Sequence, residues 1–287
     1  MLLSTELFAD ANSEYADADF VIFGVPFDKT SSFRKGSNRA SSAIREASYN
    51  FETYNPHYDV DLCDVAFCDL GDIKGSVSVD EMLKTIRNLV EGILKDGKIP
   101  IMMGGEHSLT YPCIQAFQDI STVVLDAHLD IRDEYAGCKL SHACVSRRII
   151  EEIGTLKYVS IGIRSGAREE YDFVKENDIH FYPMEQIQSG GIVHVVRDAI
   201  EYLNTERIYL SIDVDAIDPA YAPAVGNPEP FGMTPIDVKY VIQSLAPYTS
   251  GFDLVEISPE YDHGQTALLG AKLIREFIAA KESISNE

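Results

Sequence analysis

Short apolar runs alternate along this chain with stretches whose apolar residues recur at helical spacing. Phe20-Val21-Ile22-Phe23-Gly24-Val25-Pro26 predicts a buried strand closed by proline, and a helix is expected near Ser41 to Ser48. Val60 to Leu70 holds a less regular second strand. Val79 to Lys95 predicts a helix with Met82, Ile86, Leu89, Val90 and Ile93 on one face. Ser78 is its expected N-cap, and Asp80 and Glu81 suit the positive end of the helix dipole. The next strand, Ile99 to Met103, leads into a helix from Leu109 to Phe117.

The pattern then repeats. Strands are predicted at Thr122 to Leu125, Tyr158 to Ile163, Ile179 to Tyr182, Ile208 to Ile212 and Phe252 to Ile257. The intervening helices are His142 to Glu152, Arg168 to Asn177, Ile192 to Leu203 after the Gly190-Gly191 break, and Pro235 to Leu245, with a last helix at Ala267 to Ala280. Such alternation with short connections predicts an α/β fold, a mostly parallel sheet with helices on both faces. No linker, low-complexity tract or repeat divides the chain, so residues 1–287 are expected to form one domain. Met1 to Asp19, acidic and polar, is expected at the surface.

One run breaks the pattern. Val123-Val124-Leu125 continues into Asp126-Ala127-His128-Leu129-Asp130, with a metal-capable side chain at every second position. On a strand those three would share a face. Carboxylates at the end of a buried strand cost several kcal/mol each unless a positive charge compensates them, and a metal is the expected compensation. Other strands end similarly. Ile99 to Met103 leads to His107 in GGEHS, Ile208 to Ile212 runs into Asp213-Val214-Asp215, and Phe252 to Val255 ends at Glu256. Ligands of open α/β sheets bind beyond the carboxyl ends of the strands. Each signal is weak alone, since a DxD usually marks a turn or cap. Together, two histidines and four aspartates make an oxygen-rich set without thiolates. That set suits Mn²⁺ and related ions better than a structural zinc, and it is large enough for two ions sharing a hydroxide.

The net charge of −22 disfavours binding to nucleic acid or an anionic membrane; it is read first as a solubilising surface, which would also attract small cations. The five cysteines show no CxxC pair or secreted-domain spacing, which predicts reduced thiols in a cytoplasmic protein. Residues 1–6 lack the basic and apolar regions of a signal peptide, and no apolar run approaches membrane-spanning length. Lys29, Arg34, Lys35 and Arg39, unusual in so acidic a chain, are read as partners of local salt bridges.

GGEHS, DAHLD, SHA followed by Arg147-Arg148, SIDVDAIDP and VEISPEYD occur in the order found in the ureohydrolases, and the chain resembles that arginase and agmatinase family from Gly104 to Asp262. The resemblance implies a three-layer fold with an eight-stranded, mostly parallel sheet, and a homotrimer or homohexamer. It makes His107, Asp126, His128, Asp130, Asp213 and Asp215 the ligands of two Mn²⁺ per subunit. It also implies that His142 shuttles protons, with Asp130 sharing in catalysis, and that Glu256 holds the guanidinium group.

The chemistry of the residues agrees. A guanidinium carbon is a poor electrophile that needs hydroxide, a planar cation is fixed best by a carboxylate, and the leaving amine needs a proton from a group titrating near neutrality. Leu129 and Ala143 depart from the threonine and glycine frequent in the family, and Pro223 to Pro230 is an altered loop. After DAHLD, the acids Asp133 and Glu134 are expected to repel a carboxylate tail and accept an amine, which selects agmatine over arginine. Arg132 beside them would instead favour guanidino acids such as guanidinobutyrate, and an acidic mouth also admits aminopropylagmatine. A single-zinc deacetylase of the same fold is disfavoured by the complete His107, Asp126, His128 and Asp130 set. A non-catalytic metal-binding homologue is disfavoured because no ligand, nor His142 or Glu256, is missing.

Overall fold

Successive side chains of the central strands go to opposite sides of one sheet, and both sides are apolar. In the computed structural model, which describes residues 7–74 and 78–285, β1 (Phe20–Gly24) sends Phe20 and Ile22 into one buried cluster and Val21 and Phe23 into another. β6 (Ser121–Leu125) divides Val123 and Leu125 from Val124 in the same way. A strand apolar on both faces has to be covered twice.

The elements alternate as the sequence predicts. After β1 come α1 (Ala40–Ser48), a small antiparallel hairpin of β2 (Tyr54–Asn55) and β3 (Val60–Asp61), β4 (Phe67–Asp72), α2 (Val79–Lys95), β5 (Ile99–Met103) and α3 (Thr110–Gln115). β6 is followed by α4 (Val145–Ile153), β7 (Tyr158–Ile163), α5 (Arg168–Glu176) and β8 (Phe181–Pro183). The chain ends through α6 (Met184–Gly190), α7 (Ile192–Leu203), β9 (Ile208–Asp213), α8 (Pro235–Leu245), β10 (Thr249–Val255) and α9 (Gln265–Ser285). Helices α1 and α6 to α9 pack on one face, and α2 to α5 on the other. The sheet has eight parallel strands in the order β4-β1-β5-β10-β9-β6-β7-β8. Late strands β9 and β10 thus fill the gap between β5 and β6. Among the described residues, no helix is long and apolar enough to cross a membrane.

Two local expectations need correction, and one helix has no counterpart in the sequence pattern. Val60 to Leu70 is not one strand: a tight turn at Leu62–Asp64, capped by Asp61 accepting from the Cys63 amide, separates the hairpin from β4. α6, only seven residues long, is too short to display a period, yet it buries Met184 and Ile187. The N-terminal stretch is not all surface. Phe8 is 1% exposed, and its amide donates to Asp69 Oδ2 at 2.8 Å. The reading of residues 1–6 lies outside the described residues.

The same Asp69 anchors α1. Arg45, buried on that helix, donates to Asp69 at 2.7 and 2.9 Å and also meets Asp72. Arg45→Met strands the buried Asp69 charge and is expected to cost about 3–5 kcal/mol in urea denaturation. Adding Asp69→Asn should recover part of that loss. A change below about 1 kcal/mol in the single variant would show that the pair does not hold this corner together.

Candidate active site

Beyond β5 the backbone squeezes between β10 and the loop after β1. A Cβ on Gly104 would stand 2.5 Å from Val255 Cγ1, and one on Gly105 would stand 1.8 Å from the Phe27 carbonyl oxygen. Only glycine passes there, which is why GGEHS can deliver His107 to a fully buried position. β6 stops at Leu125, so a continuing strand is not what brings Asp126, His128 and Asp130 together. The His128 amide donates to Asp126 Oδ1 at 2.6 Å, the Ala127 amide donates to Asp215 Oδ1 at 3.1 Å, and Asp130 turns inward with φ 48°. At the end of β9, Asp213 accepts from the Asp215 amide at 2.9 Å, closing a tight turn that aims both carboxylates the same way. Glu256 follows β10 with φ 66°, and its amide donates to the Gly105 carbonyl at 2.8 Å. Left-handed backbone at a non-glycine residue costs about 1–3 kcal/mol. Two such residues occur in this one cluster.

The six side chains named from the motifs come together. His107 Nδ1 lies 3.2 Å from Asp126 Oδ2, 3.2 Å from Asp213 Oδ2 and 3.6 Å from Asp130 Oδ2. His128 Nδ1 lies 2.9 Å from Asp215 Oδ2 and 3.6 Å from Asp126 Oδ1. The donor atoms form two groups, His107-Asp126-Asp213 and Asp126-His128-Asp215, which share Asp126 and lie within 4.8 Å of one another in each group. His107 Nδ1 and Asp126 Oδ2 are buried without a hydrogen-bond partner. Orphaned atoms converging in this way, with oxygen and imidazole donors and no thiolate, fit a pair of divalent cations.

The electrostatics show the same deficit of positive charge. Burial raises Asp130 to about 7, with the Asp126 charge adding to the shift. Burial also raises Asp213 far above the carboxylate range, aided by Asp215 and Asp126. Glu256 rises to about 8 through burial and the neighbouring Glu106. Burial opposes charge on His107, yet its contacts with Asp126, Asp130 and Asp213 raise it well above the ordinary imidazole value. Protons on imidazole and carboxyl groups stand in here for cations that the cluster is short of.

Above the cluster opens a cleft of about 500 Å³ whose walls include His128, Asp130, His142, Asp213, Asp215 and Glu256. The His142 amide donates to Thr30 Oγ1 at 2.9 Å, its Nδ1 lies 3.3 Å from the same oxygen, and its Nε2 lies 3.2 Å from Ser32 Oγ. Thr30 is held in turn by Glu106, which accepts from its amide and hydroxyl at 2.6 Å each. Burial, reinforced by positive charge on His107 and His128, lowers His142 to about 4. Its surroundings thus favour the neutral imidazole over the charged one.

Asp133 and Glu134 also need correction. They line a neighbouring cavity instead of this cleft, because Asp133 is drawn outward by Arg148 at 2.8 Å and Lys139 at 3.2 Å. Beyond the cluster acids and Glu256, the cleft is lined by Glu170 and Glu229. Glu170 accepts from the Ile131 and Ala167 amides at 3.1 and 2.8 Å, and lies 3.4 Å from Arg132 Nε at the cleft wall. Glu229 accepts from Ser165 Oγ at 2.9 Å and stands 3.7 Å from His128 Nε2. No sequence pattern marked Glu170 or Thr30. Glu106 stood inside a recognised motif, and Glu229 inside the altered loop, without a role being assigned. Arg39 does form the expected local ion pair, with Glu260, whereas Arg34 stacks on Tyr261.

A sequence profile described as the Arginase family matches residues 18–280. The agmatinase of Bacillus subtilis is 37% identical over 284 residues, covering 96% of both chains. The N(1)-aminopropylagmatine ureohydrolase of Thermococcus kodakarensis is 39% identical over 264 residues, 90% of this chain and 88% of that one. The crystal structure of the agmatine ureohydrolase of Thermoplasma volcanium superposes with a TM-score of 0.95 at 43% identity, covering 99% of this chain and 97% of the other.

The shared Asp126 and the separate histidines make a testable pattern. In protein loaded with Mn²⁺ and dialysed, His107→Ala is expected to halve the metal content, roughly, by atomic absorption, because only one donor group contains His107. Unchanged metal content would remove His107 from the centre.

Proposed function

The chain belongs to the arginase family, and on that premise we propose that it hydrolyses agmatine to putrescine and urea. The reading rests chiefly on one observation: two His/Asp donor groups sharing Asp126 lie under an open cleft that is also lined by a buried glutamate, Glu256. His107, Asp126, His128, Asp130, Asp213 and Asp215 would hold two Mn²⁺. When bound, such a pair lowers the pKa of water so that a hydroxide nucleophile is available near neutral pH.

The chain's own residues do the rest. Glu256, fixed by the His107 amide donating to its Oε1 at 2.7 Å, keeps its remaining acceptor capacity for the guanidinium N–H groups. The cation restores the ionised carboxylate that burial disfavours. Asp130 at the cleft floor accepts a hydrogen bond from the reacting water. Once the carbon–oxygen bond has formed, His142, lining the cleft as a neutral imidazole, accepts a proton from the added oxygen and passes it to the alkyl nitrogen as the carbon–nitrogen bond breaks. Buried Glu106 fixes Thr30, which orients the imidazole.

Glu170 and Glu229 supply the acidity at the mouth that selects an amine tail, the role first assigned to Asp133 and Glu134. A second reading, hydrolysis of aminopropylagmatine, is favoured by the openness of the cleft and by the specificity named for the Thermococcus relative. Arg132 at the wall argues for a carboxylate tail only if it leaves Glu170. We further read residues 1–287 as one catalytic domain of a cytoplasmic homotrimer or homohexamer, with neither nucleic acid nor membrane as partner.

Urea release from agmatine, arginine, guanidinobutyrate and aminopropylagmatine, measured side by side with Mn²⁺-loaded and chelated protein, tests the assignment. Metal-dependent turnover greatest with agmatine is expected, and no urea from any of the four would overturn the reading. His142→Ala should keep its metal but lose about 10²-fold or more in kcat. Undiminished turnover would free His142 of its role. Arg132→Ser should shift the agmatine-to-guanidinobutyrate ratio of kcat/KM about three- to tenfold toward the amine, and an unmoved ratio would place Arg132 outside tail recognition.

A further inference from the structure

His107 turns one ring nitrogen to the cluster and the other to a buried chain of hydroxyls that ends in a carboxylate. Nε2 lies 3.2 Å from Ser211 Oγ. Ser211 donates to Asp253 Oδ1 at 2.7 Å, and Tyr209 donates to the other oxygen, Oδ2, at 2.8 Å. Thr110 Oγ1 is 3.2 Å from Ser211 Oγ. All of these side chains are buried, and none lines the cleft, so Asp253 touches no substrate.

Proton counting makes the chain directional. A serine hydroxyl has one proton and two lone pairs. With that proton given to Asp253, the Ser211 oxygen can only accept, from Thr110 on one side and from His107 on the other. His107 therefore carries a proton on Nε2, and Nδ1 is the nitrogen left to face Asp126, Asp130 and Asp213. We propose that Asp253 is a positioning residue which, through Ser211, fixes His107 in the tautomer and orientation that bind metal. It thereby sets the affinity for the ion held by His107, Asp126 and Asp213. The inference rests on the two-cation reading of the cluster and is independent of the substrate.

In Asp253→Asn an amide can donate to Ser211, which is then free to turn its own proton toward His107 Nε2. The ring proton moves to Nδ1 and obstructs the ion. A carboxylate serving only to fill the core would instead affect folding, or both ions alike.

The experiment titrates metal-stripped full-length protein with Mn²⁺, followed by electron paramagnetic resonance, which separates a lone ion from a spin-coupled pair. Thermal unfolding of the metal-free protein runs alongside. Asp253→Asn and Ser211→Ala are each expected to weaken one ion roughly 10–100-fold and the other by less than about threefold, with little change in metal-free Tm. The double variant should be no weaker than the worse single, because the two act in series. Ser211→Thr, which keeps the hydroxyl, should retain the tight site. Wild-type affinity in Asp253→Asn, equal weakening of both ions, or additive losses would each overturn the relay. If Asp253→Asn does not fold, Ser211→Ala against Ser211→Thr decides: tight binding by the threonine variant alone supports the relay, and equal affinities overturn it. Wild-type protein that binds no Mn²⁺ overturns the cation reading and the relay with it. Normal binding without urea release tells only against the proposed substrate.

Discussion

The structure depends on a concentration of negative charge where water is excluded. Asp126, Asp130, Asp213, Asp215, Glu106 and Glu256 are all buried at the carboxyl edge of the sheet, where His107 and His128 bring basic groups against the aspartates and the Arg164 charge lies nearby. Isolated, such a group of carboxylates would cost far more than a domain's net stability. The raised carboxyls of Asp130, Asp213 and Glu256 and the raised imidazole of His107 are responses to that shortage. Cations relieve such a shortage, so the feature that strains the cluster is also the one that suits it to hold divalent metal.

The sheet makes the concentration possible. His107, Asp126, Asp213 and Glu256 are far apart in the chain, yet they follow β5, β6, β9 and β10, which stand side by side as β5-β10-β9-β6 and point the same way. Parallel strands put their carboxyl ends together, and four adjacent ends define one small volume. Fine adjustment comes from exceptions to regular backbone. Gly104 and Gly105 allow a passage that any Cβ would block, and Asp130 and Glu256 accept left-handed backbone. The rigid, doubly covered sheet holds that strain in place.

Around the cluster, polar groups are arranged in depth. Glu106 steadies Thr30 and thereby His142, and Asp253 steadies Ser211 and thereby His107. Glu170 and Glu229 add two further acids to the cleft wall. Similarity to agmatinases along almost the whole chain agrees with this arrangement.

The sequence by itself determined the α/β alternation and the donor set, because both are written in short-range pattern. Period-two apolar runs and helical spacing report burial within a few residues, and DAHLD and SIDVDAIDP put their donors close together in the chain, with GGEHS adding one more. It did not disclose α6, too short for a period, or the burial of Phe8 against β4. Only the tertiary structure decided that β9 and β10 lie between β5 and β6. It alone turned Asp133 outward to Arg148 and Lys139 while bringing Glu170 and Glu229 to the cleft. It also placed His142 where burial disfavours its charged form. Each of those outcomes is set by desolvation and by charges from distant parts of the chain, and neither quantity exists until the chain has folded.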